Sequence, residues 1–345
     1  MTDANALDVA RLDGWLRENV EDFSGTLTAE KFAGGQSNPT YALLLDGEPR
    51  YVLRRRPSGD LLPSAHAVDR EFRVMSALAD TDVPVARCHA LCTDESVIGS
   101  IFFVMDHVEG RNFWDARLPE LSREDRVAAY SDVGRVIAAL HSVDPSHVGL
   151  GDFGKAGNYY ARQIGRWTRQ YRATETETID AMERLIDWLP EHVPASGETR
   201  IVHGDYRIDN LIFHPEEPRI VAVVDWELST LGNPLADFAY HAMAWRLSPE
   251  AFRGLAGTDF EGLGIPTEAE HLAAYLARTG RTGVDQGEWE FAIAYNMFRV
   301  ACIRQGVLKR ALSGNASNTR ALEAGRRARD MAELAWEQVE RAFGQ

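Results

Sequence analysis

Apolar positions recur with two different periods along the chain. Val9, Leu12, Trp15 and Leu16 follow helical spacing and predict a short amphipathic helix near the N-terminus. Three short apolar runs come next, at residues 30–33, 41–45 and 50–54. Gly34-Gly35-Gln36-Ser37-Asn38-Pro39 separates the first two, and Asp46-Gly47-Glu48-Pro49 the second pair. Turn residues at those places predict an antiparallel meander. Over residues 64–79 the period lengthens: Val68, Phe72, Met75 and Leu78 define a helix face, with Glu71 at its border. Further strands are predicted at 97–98 and 101–105.

From Asp106 onward the pattern is mainly helical, with Val127, Tyr130, Val133, Ile137 and Leu140 marking one long helix. A single β-rich interlude interrupts it. Ile201 and Val202 lead into His203-Gly204-Asp205, and apolar runs follow at 211–213 and 220–226. Asn233-Pro234 supplies an N-cap and first turn for a helix over 235–247. The remainder, to Gln345, again reads as helix. The fold class is therefore α+β, with a small antiparallel-β part over residues 1–105 and a larger, mainly helical part over 106–345.

Composition narrows the function classes. The 345 residues carry 37 Lys and Arg against 52 Asp and Glu, a formal charge of −15. A general nucleic-acid binder needs a basic face to displace counterions, so the charge argues against that class. The three cysteines, Cys88, Cys92 and Cys302, are too few and too odd in number for a disulfide scaffold. Cys88-His89-x-x-Cys92 has too few ligands for a structural zinc, and buried thiols are expected. The N-terminus has no basic stretch leading into an apolar one, and no apolar segment is long enough to span a membrane. The expectation is a cytoplasmic protein with no membrane partner; a homodimer stays open.

The chemistry concentrates in His203-Gly-Asp205-Tyr-Arg207-Ile-Asp209-Asn210 and, fifteen residues after Asn210, in Val223-Val224-Asp225-Trp226-Glu227. Two carboxylates and a carboxamide in loops at strand ends suit phosphoryl transfer. One carboxylate takes or orients the proton of a hydroxyl nucleophile, while an amide oxygen and the other carboxylate hold magnesium on nucleotide phosphates.

These residues resemble the kinase superfamily in its aminoglycoside-phosphotransferase-like branch. The catalytic-loop pattern H-x-D-x-x-x-x-N is met by His203, Asp205 and Asn210, and the metal-binding Asp of the D-F-G position is matched by Asp225. The resemblance implies a bilobal protein-kinase-like fold, Asp205 as catalytic base, Asn210 and Asp225 as Mg2+ ligands, and ATP as phosphoryl donor. Arg207, two residues after the base, stands where many protein kinases place a phosphate-contacting lysine. His203 is expected to support the loop, and Asp237, in Asn233-Pro-Leu-Ala-Asp237-Phe, to brace it from beneath.

The N-terminal part supplies an independent check. Gly35, Gln36, Ser37 and Asn38 lie between the first two strands, where backbone N–H groups could cradle phosphate, although a plain hairpin accounts for the same residues. Glu71, beside an apolar helix face, needs a buried partner. Arg54 on the third strand is the candidate, in a place where most kinases have lysine; this is the chief departure from the family pattern. Arg55 and Arg56 are expected at a solvated strand end. The resemblance places adenine against the backbone of Asp106, His107 and Val108.

Charge in the helical part bears on the acceptor. Residues 296–329 hold eight Lys and Arg and one acid, Glu323, a net of +7 in a chain of −15. Pairing with acids elsewhere is one explanation; a small-molecule acceptor that is an anion, with Arg299 as its first contact, is the other. Polycationic aminoglycosides fit poorly. Val52-Leu-Arg-Arg-Arg-Pro57-Ser-Gly59, His66-Ala-Val-Asp-Arg-Glu71 and Arg207-Ile-Asp-Asn210 also resemble the kinase-like domains fused to acyl-CoA dehydrogenases. That likeness implies a hydroxy acid or hydroxyacyl thioester as acceptor. The alternatives are a choline-, sugar- or amine-directed kinase, for which Tyr240, Trp245 and Trp289 could supply aromatics, and a nucleotide-binding regulator that no longer transfers phosphate.

Overall fold

The structure, a computed structural model, describes residues 7–32, 38–57, 67–195, 197–313 and 320–344. Contacts group the chain into two units: Met1–Arg111 with Leu211–Glu216 and Ile220–Ser229, and Asn112–Asn210 with Glu217–Arg219 and Thr230–Gln345. The architecture is α+β, sheet first and helices after.

In the first unit, helix α1 (Val9–Asn19) begins at Asp8, whose carboxylate accepts from the Arg11 backbone N–H at 3.1 Å. Its Leu12 and Leu16 are buried against the sheet residues Leu27, Leu43, Leu53 and Phe102. Strands β1 (Leu27–Lys31), β2 (Thr40–Leu45) and β3 (Glu48–Arg55) form the expected meander. Asp46 and Gly47 both take positive φ, 51° and 90°, and Leu45 pairs directly with Glu48, the two-residue turn that Asp-Gly favours. Helix α2 (Val68–Leu78), strand β4 (Cys88–Cys92) and strand β5 (Phe102–Asp106) complete the unit's main sheet, in the order β1-β2-β3-β5-β4.

Three local expectations are corrected. The first strand lies at Leu27–Lys31 rather than 30–33, paired with β2 from Leu27↔Leu45 to Lys31↔Tyr41. Residues 97–98 are not a strand. They lie in a tight turn in which Gly99 N–H donates to the Glu95 carbonyl at 2.8 Å, and their apolar character is used to put Ile98 into the core. The strand is instead Cys88–Cys92; Cys92 is buried, and burial pushes the half-buried Cys88 thiol up to about 12. Arg55 is not solvated: it is 2% exposed, its guanidinium 5.6 Å from the Tyr41 ring. Alternation along β3 sends neighbouring side chains to opposite faces, so Arg54 and Arg55 diverge.

Also in this unit, strands Leu211–Phe213 and Ile220–Val223 pair antiparallel, and Val223 N–H donates to the Pro84 carbonyl at 2.8 Å. Gly110 lies so close that a Cβ there would stand 2.3 Å from the Phe213 carbonyl oxygen, which leaves no room for a side chain.

The second unit is built around helix Gln286–Leu312, whose middle is buried almost all round. Helices Tyr159–Thr174, Pro234–Ala242 and Ala328–Phe343 pack against it. Helix Arg123–Ser142 is capped by Ser122, and Pro234–Ala242 by Asn233, whose side chain accepts from Ala236 N–H at 3.0 Å. Strand Arg200–Val202, paired with Thr230–Gly232, ends at the Asp205 loop.

Candidate active site

Each unit carries one half of the predicted constellation. In the first, Arg54 projects from β3 and meets Glu71 of α2, Nε to Oε2 at 2.9 Å, and Asp225, Nη2 to Oδ1 at 2.6 Å. Glu227 stands 3.9 Å away. The Glu71 carboxylate is 1% exposed and also accepts from Asn38 Nδ2 at 2.8 Å. Burial, with help from the Asp225 and Glu227 charges, pushes Glu71 up to about 7 despite Arg54. Burial works against the Arg54 cation, but its three acids outweigh that and hold the guanidinium above its ordinary value. Asp225 takes left-handed backbone angles, φ 68° and ψ 59°, between the strand Ile220–Val223 and a helical turn starting at Trp226. A non-glycine residue there costs roughly 1 kcal/mol and turns the carboxylate away from the strand line.

The lysine-to-arginine departure thus has a geometric use. A guanidinium fork reaches two acids from two directions, which a single ammonium cannot do in the same pose. Asn38, expected to meet phosphate, is fully buried with its amide on Glu71. Gly35, Gln36 and Ser37 lie outside the described residues. At Asp106 and His107 the backbone N–H groups donate to Arg87 and Arg50 carbonyls, at 2.9 and 3.0 Å, so Val108 is the next amide along for a base to use. The Asp106 carboxylate meets His89 Nε2 at 2.6 Å.

In the second unit, the loop after Arg200–Val202 is fixed from below. Asp237, 3% exposed, accepts from the backbone N–H groups of His203 and Gly204 at 2.7 and 2.8 Å, and contacts His141 Nε2 at 3.1 Å. Burial acts to raise the Asp237 carboxyl, yet His141, His203 and the backbone donors overcome it and leave it below its ordinary value. His203 is fully buried and its Nδ1 accepts from Asp205 N–H at 3.1 Å, a supporting position. Asp205 is held by both its oxygens: Tyr240 OH donates to Oδ1 at 2.5 Å and Asn210 Nδ2 to Oδ2 at 3.0 Å. Arg207 Nε lies 3.4 Å from Asp205 Oδ1, while its Nη2 pairs with Asp209 at 3.0 Å.

Arg299 differs from its expected setting on an open basic face. It is 4% exposed, donates to the Gly204 carbonyl, and sits over the rings of Trp167 and Tyr240 at 5.5 and 4.8 Å. Its fork is spent on supporting the loop, because the helix that carries it runs through the interior of the unit. The contact of Tyr240 with Asp205 joins residues 35 positions apart. The signal was present: Asp237 and Tyr240 are three apart on one helix, so both face the loop.

Residues 28–278 match the sequence profile of the phosphotransferase enzyme family. The chain is 48% identical over 317 residues to acyl-CoA dehydrogenase family member 10 of Mus musculus, covering 91% of this chain and 29% of that protein. It therefore spans under a third of this relative's length. Among solved structures, a Ralstonia eutropha protein classed with the aminoglycoside phosphotransferases is 53% identical, with a TM-score of 0.88 and coverage of 98% of this chain and 99% of that one. An aminoglycoside phosphotransferase in ternary complex with AMP-PNP and hygromycin B shares the fold at 15% identity, with a TM-score of 0.59 over 94% of this chain and 98% of that one.

Proposed function

The chain belongs to the phosphotransferase enzyme family, and on that footing we propose that it is an ATP-dependent small-molecule kinase acting on a hydroxyl group, of a hydroxy acid or a hydroxyacyl thioester. One observation supports this most. Asp205 is clamped through both carboxylate oxygens by Tyr240 and Asn210, on a loop whose backbone is tied to Asp237. An acid fixed this firmly at a strand end, beside a buried support network, suits a group that must meet a hydroxyl in one orientation.

Asp205 accepts the proton of the acceptor hydroxyl as its oxygen bonds to the γ-phosphorus. The bond from that phosphorus to the β–γ bridging oxygen breaks and ADP leaves. Asn210 and Asp225 are the residues to hold Mg2+. The Asn210 amide nitrogen is spent on Asp205, so its carbonyl oxygen is the atom suited to a metal, and an amide oxygen with a carboxylate is the hard donor set that magnesium takes. When bound, the ion supplies charge neutralisation on the nucleotide phosphates. Arg54, oriented by Glu71, would supply positive charge to those phosphates, and Arg207 keeps positive charge beside Asp205. With the Asp106 and His107 N–H groups already bonded, the backbone N–H of Val108 is the donor left to read the base in the Asp106–Val108 segment. A ternary complex of the related aminoglycoside enzyme with AMP-PNP supports the choice of nucleotide. The relatedness to acyl-CoA dehydrogenase family members supports a hydroxy acid or its thioester.

Asp225→Ala tests the nucleotide half. Titration calorimetry with AMP-PNP should show magnesium-dependent affinity lost in the variant; equal affinity at saturating magnesium removes Asp225 from the metal.

A further inference from the structure

Beside the Asp205 loop the second unit has an open pocket of about 400 Å³ with four cations in its wall, Arg207, Arg253, Arg304 and Arg327, against two acids, Glu250 and Glu323, and with Phe252 among them. Two of these cations are already balanced. Arg207 and Arg253 share the Asp209 carboxylate, at 3.0 and 2.7 Å, and Arg207 also has Asp205 at 3.4 Å. Among the described residues Arg304 has no carboxylate at ion-pair distance, and Arg327 has the exposed Glu323. Among the described residues Arg304 donates to backbone carbonyls, of Ala251 and, at 3.2 Å, of Arg327. Arg327 donates to the Glu250 carbonyl, and its nearest acid among the described residues is Glu323 at 3.6 Å, itself 75% exposed. Burial and the Arg327 charge bring the Arg304 guanidinium down to about 10, with Asp330 opposing too weakly to restore it. Two guanidinium groups whose charges act on one another, with the exposed Glu323 as the acid at ion-pair distance, cost electrostatic free energy, which an incoming anion relieves.

The pocket joins the Asp205 loop through one aromatic ring. Phe252 has Arg207 on it at 5.8 Å and Arg304 at 5.7 Å, and its edge meets Tyr240, the hydroxyl partner of Asp205, at 6.2 Å between centroids. A smaller pocket lined by Trp114, Tyr130, Arg207, Tyr240 and Phe252 adjoins it. We propose that Arg304 and Arg327 form an anion subsite for a phosphate-type group on the acceptor, placed beyond Phe252 from the hydroxyl that Asp205 activates. The assignment to the acceptor rests on the kinase reading; the anion subsite itself does not. A phosphate group, with several oxygens, can engage both forks at once, where a carboxylate would satisfy one. The +7 segment of residues 296–329 thereby contributes through Arg304 and Arg327 rather than through Arg299.

Inorganic pyrophosphate is the probe, titrated calorimetrically into the full chain in EDTA without nucleotide. The wild type should bind it, and Arg327→Gln and Arg304→Gln should each weaken binding by about tenfold or more, as for a lost charged hydrogen bond. Arg172→Gln, which removes a surface cation of the same unit paired with Glu183 and outside the pocket, should leave it unchanged. Arg304 braces backbone, so a thermal melt accompanies its variant and Arg327→Gln alone carries the test if Arg304→Gln unfolds. No binding to the wild type, or binding retained in Arg327→Gln, overturns the subsite. Acceptor kinetics then separate the two readings. With matched hydroxylated compounds, the phosphate-bearing one should have a lower KM that rises in Arg327→Gln. Pyrophosphate that leaves that KM unaltered would overturn the assignment to the acceptor, while absence of any transfer with AMP-PNP binding also absent would sink the kinase reading alone.

Discussion

Replacing Arg54 with Met should destabilise the chain far more than replacing both Arg54 and Glu71. Arg54 has a side chain 13% exposed and serves Glu71, 2% exposed, as well as Asp225, 34% exposed. In Arg54→Met the Glu71 carboxylate is left buried without its cation, a loss of about 3–5 kcal/mol for a broken buried pair. Because Glu71 already titrates at about 7 through burial, it can escape by taking a proton, so the lower figure applies near neutral pH. The Asp225 contact is a third open to solvent and contributes at most about 1 kcal/mol. Arg54→Lys keeps the charge but gives up one arm of the fork, a cost of about 1–2 kcal/mol. In the Arg54→Met, Glu71→Met double variant neither member of the pair is left as a buried charge without its partner, and most of the loss should return, less about 1 kcal/mol for the orphaned Asn38 amide. The coupling between the two sites should therefore reach about 2 kcal/mol. Urea unfolding followed by both far-ultraviolet dichroism and tryptophan fluorescence measures it, with coincident curves as the check on two-state behaviour. A single variant within about 0.5 kcal/mol of wild type, or two losses that simply add, would refute the reasoning.

Two further outcomes follow from the second unit. Asp237→Asn turns an acceptor of the His203 and Gly204 amides into a partial donor, so stability should fall by about 2–4 kcal/mol and turnover with it; an unchanged melt and unchanged rate would show the loop does not depend on it. Burial holds His241 down to about 4, against 6.5 for a free imidazole, so the unfolded chain takes a proton that the native one refuses. That contribution is complete above about pH 6.5 and is lost as pH falls toward 4, up to about 3 kcal/mol. His241→Phe should flatten this acid limb in part, since the nearby buried His271 is depressed in the same direction; superimposable pH–stability curves from pH 4 to 6.5 would contradict it.

Local signals carried much of this into view from sequence. Asp46-Gly47, the Asn233-Pro234 cap and the stripe through Val68, Met75 and Leu78 act within a few residues, and the structure follows them. The spacing from His203 to Asn210 likewise reads along one loop. What stayed hidden depends on long-range packing. Nothing near Arg299 says that its helix runs through the interior, and nothing near Arg55 says that Tyr41 covers it. Ile98 looks like strand because burial, not strand pairing, selects its side chain. The Tyr240–Asp205 bond spans 35 positions and becomes visible only when Asp237, one helical turn before Tyr240, is already tied to the loop.

Phosphoryl transfer at Asp205 is the central claim. The most direct test incubates wild type and Asp205→Asn with Mg-ATP and a panel of hydroxy acids and their thioesters, and reads phosphorylated products by mass spectrometry. Wild type should yield a phosphate monoester on a hydroxyl, while Asp205→Asn binds AMP-PNP as before and forms at least about a hundredfold less product. Product at comparable rates from Asp205→Asn would contradict the account.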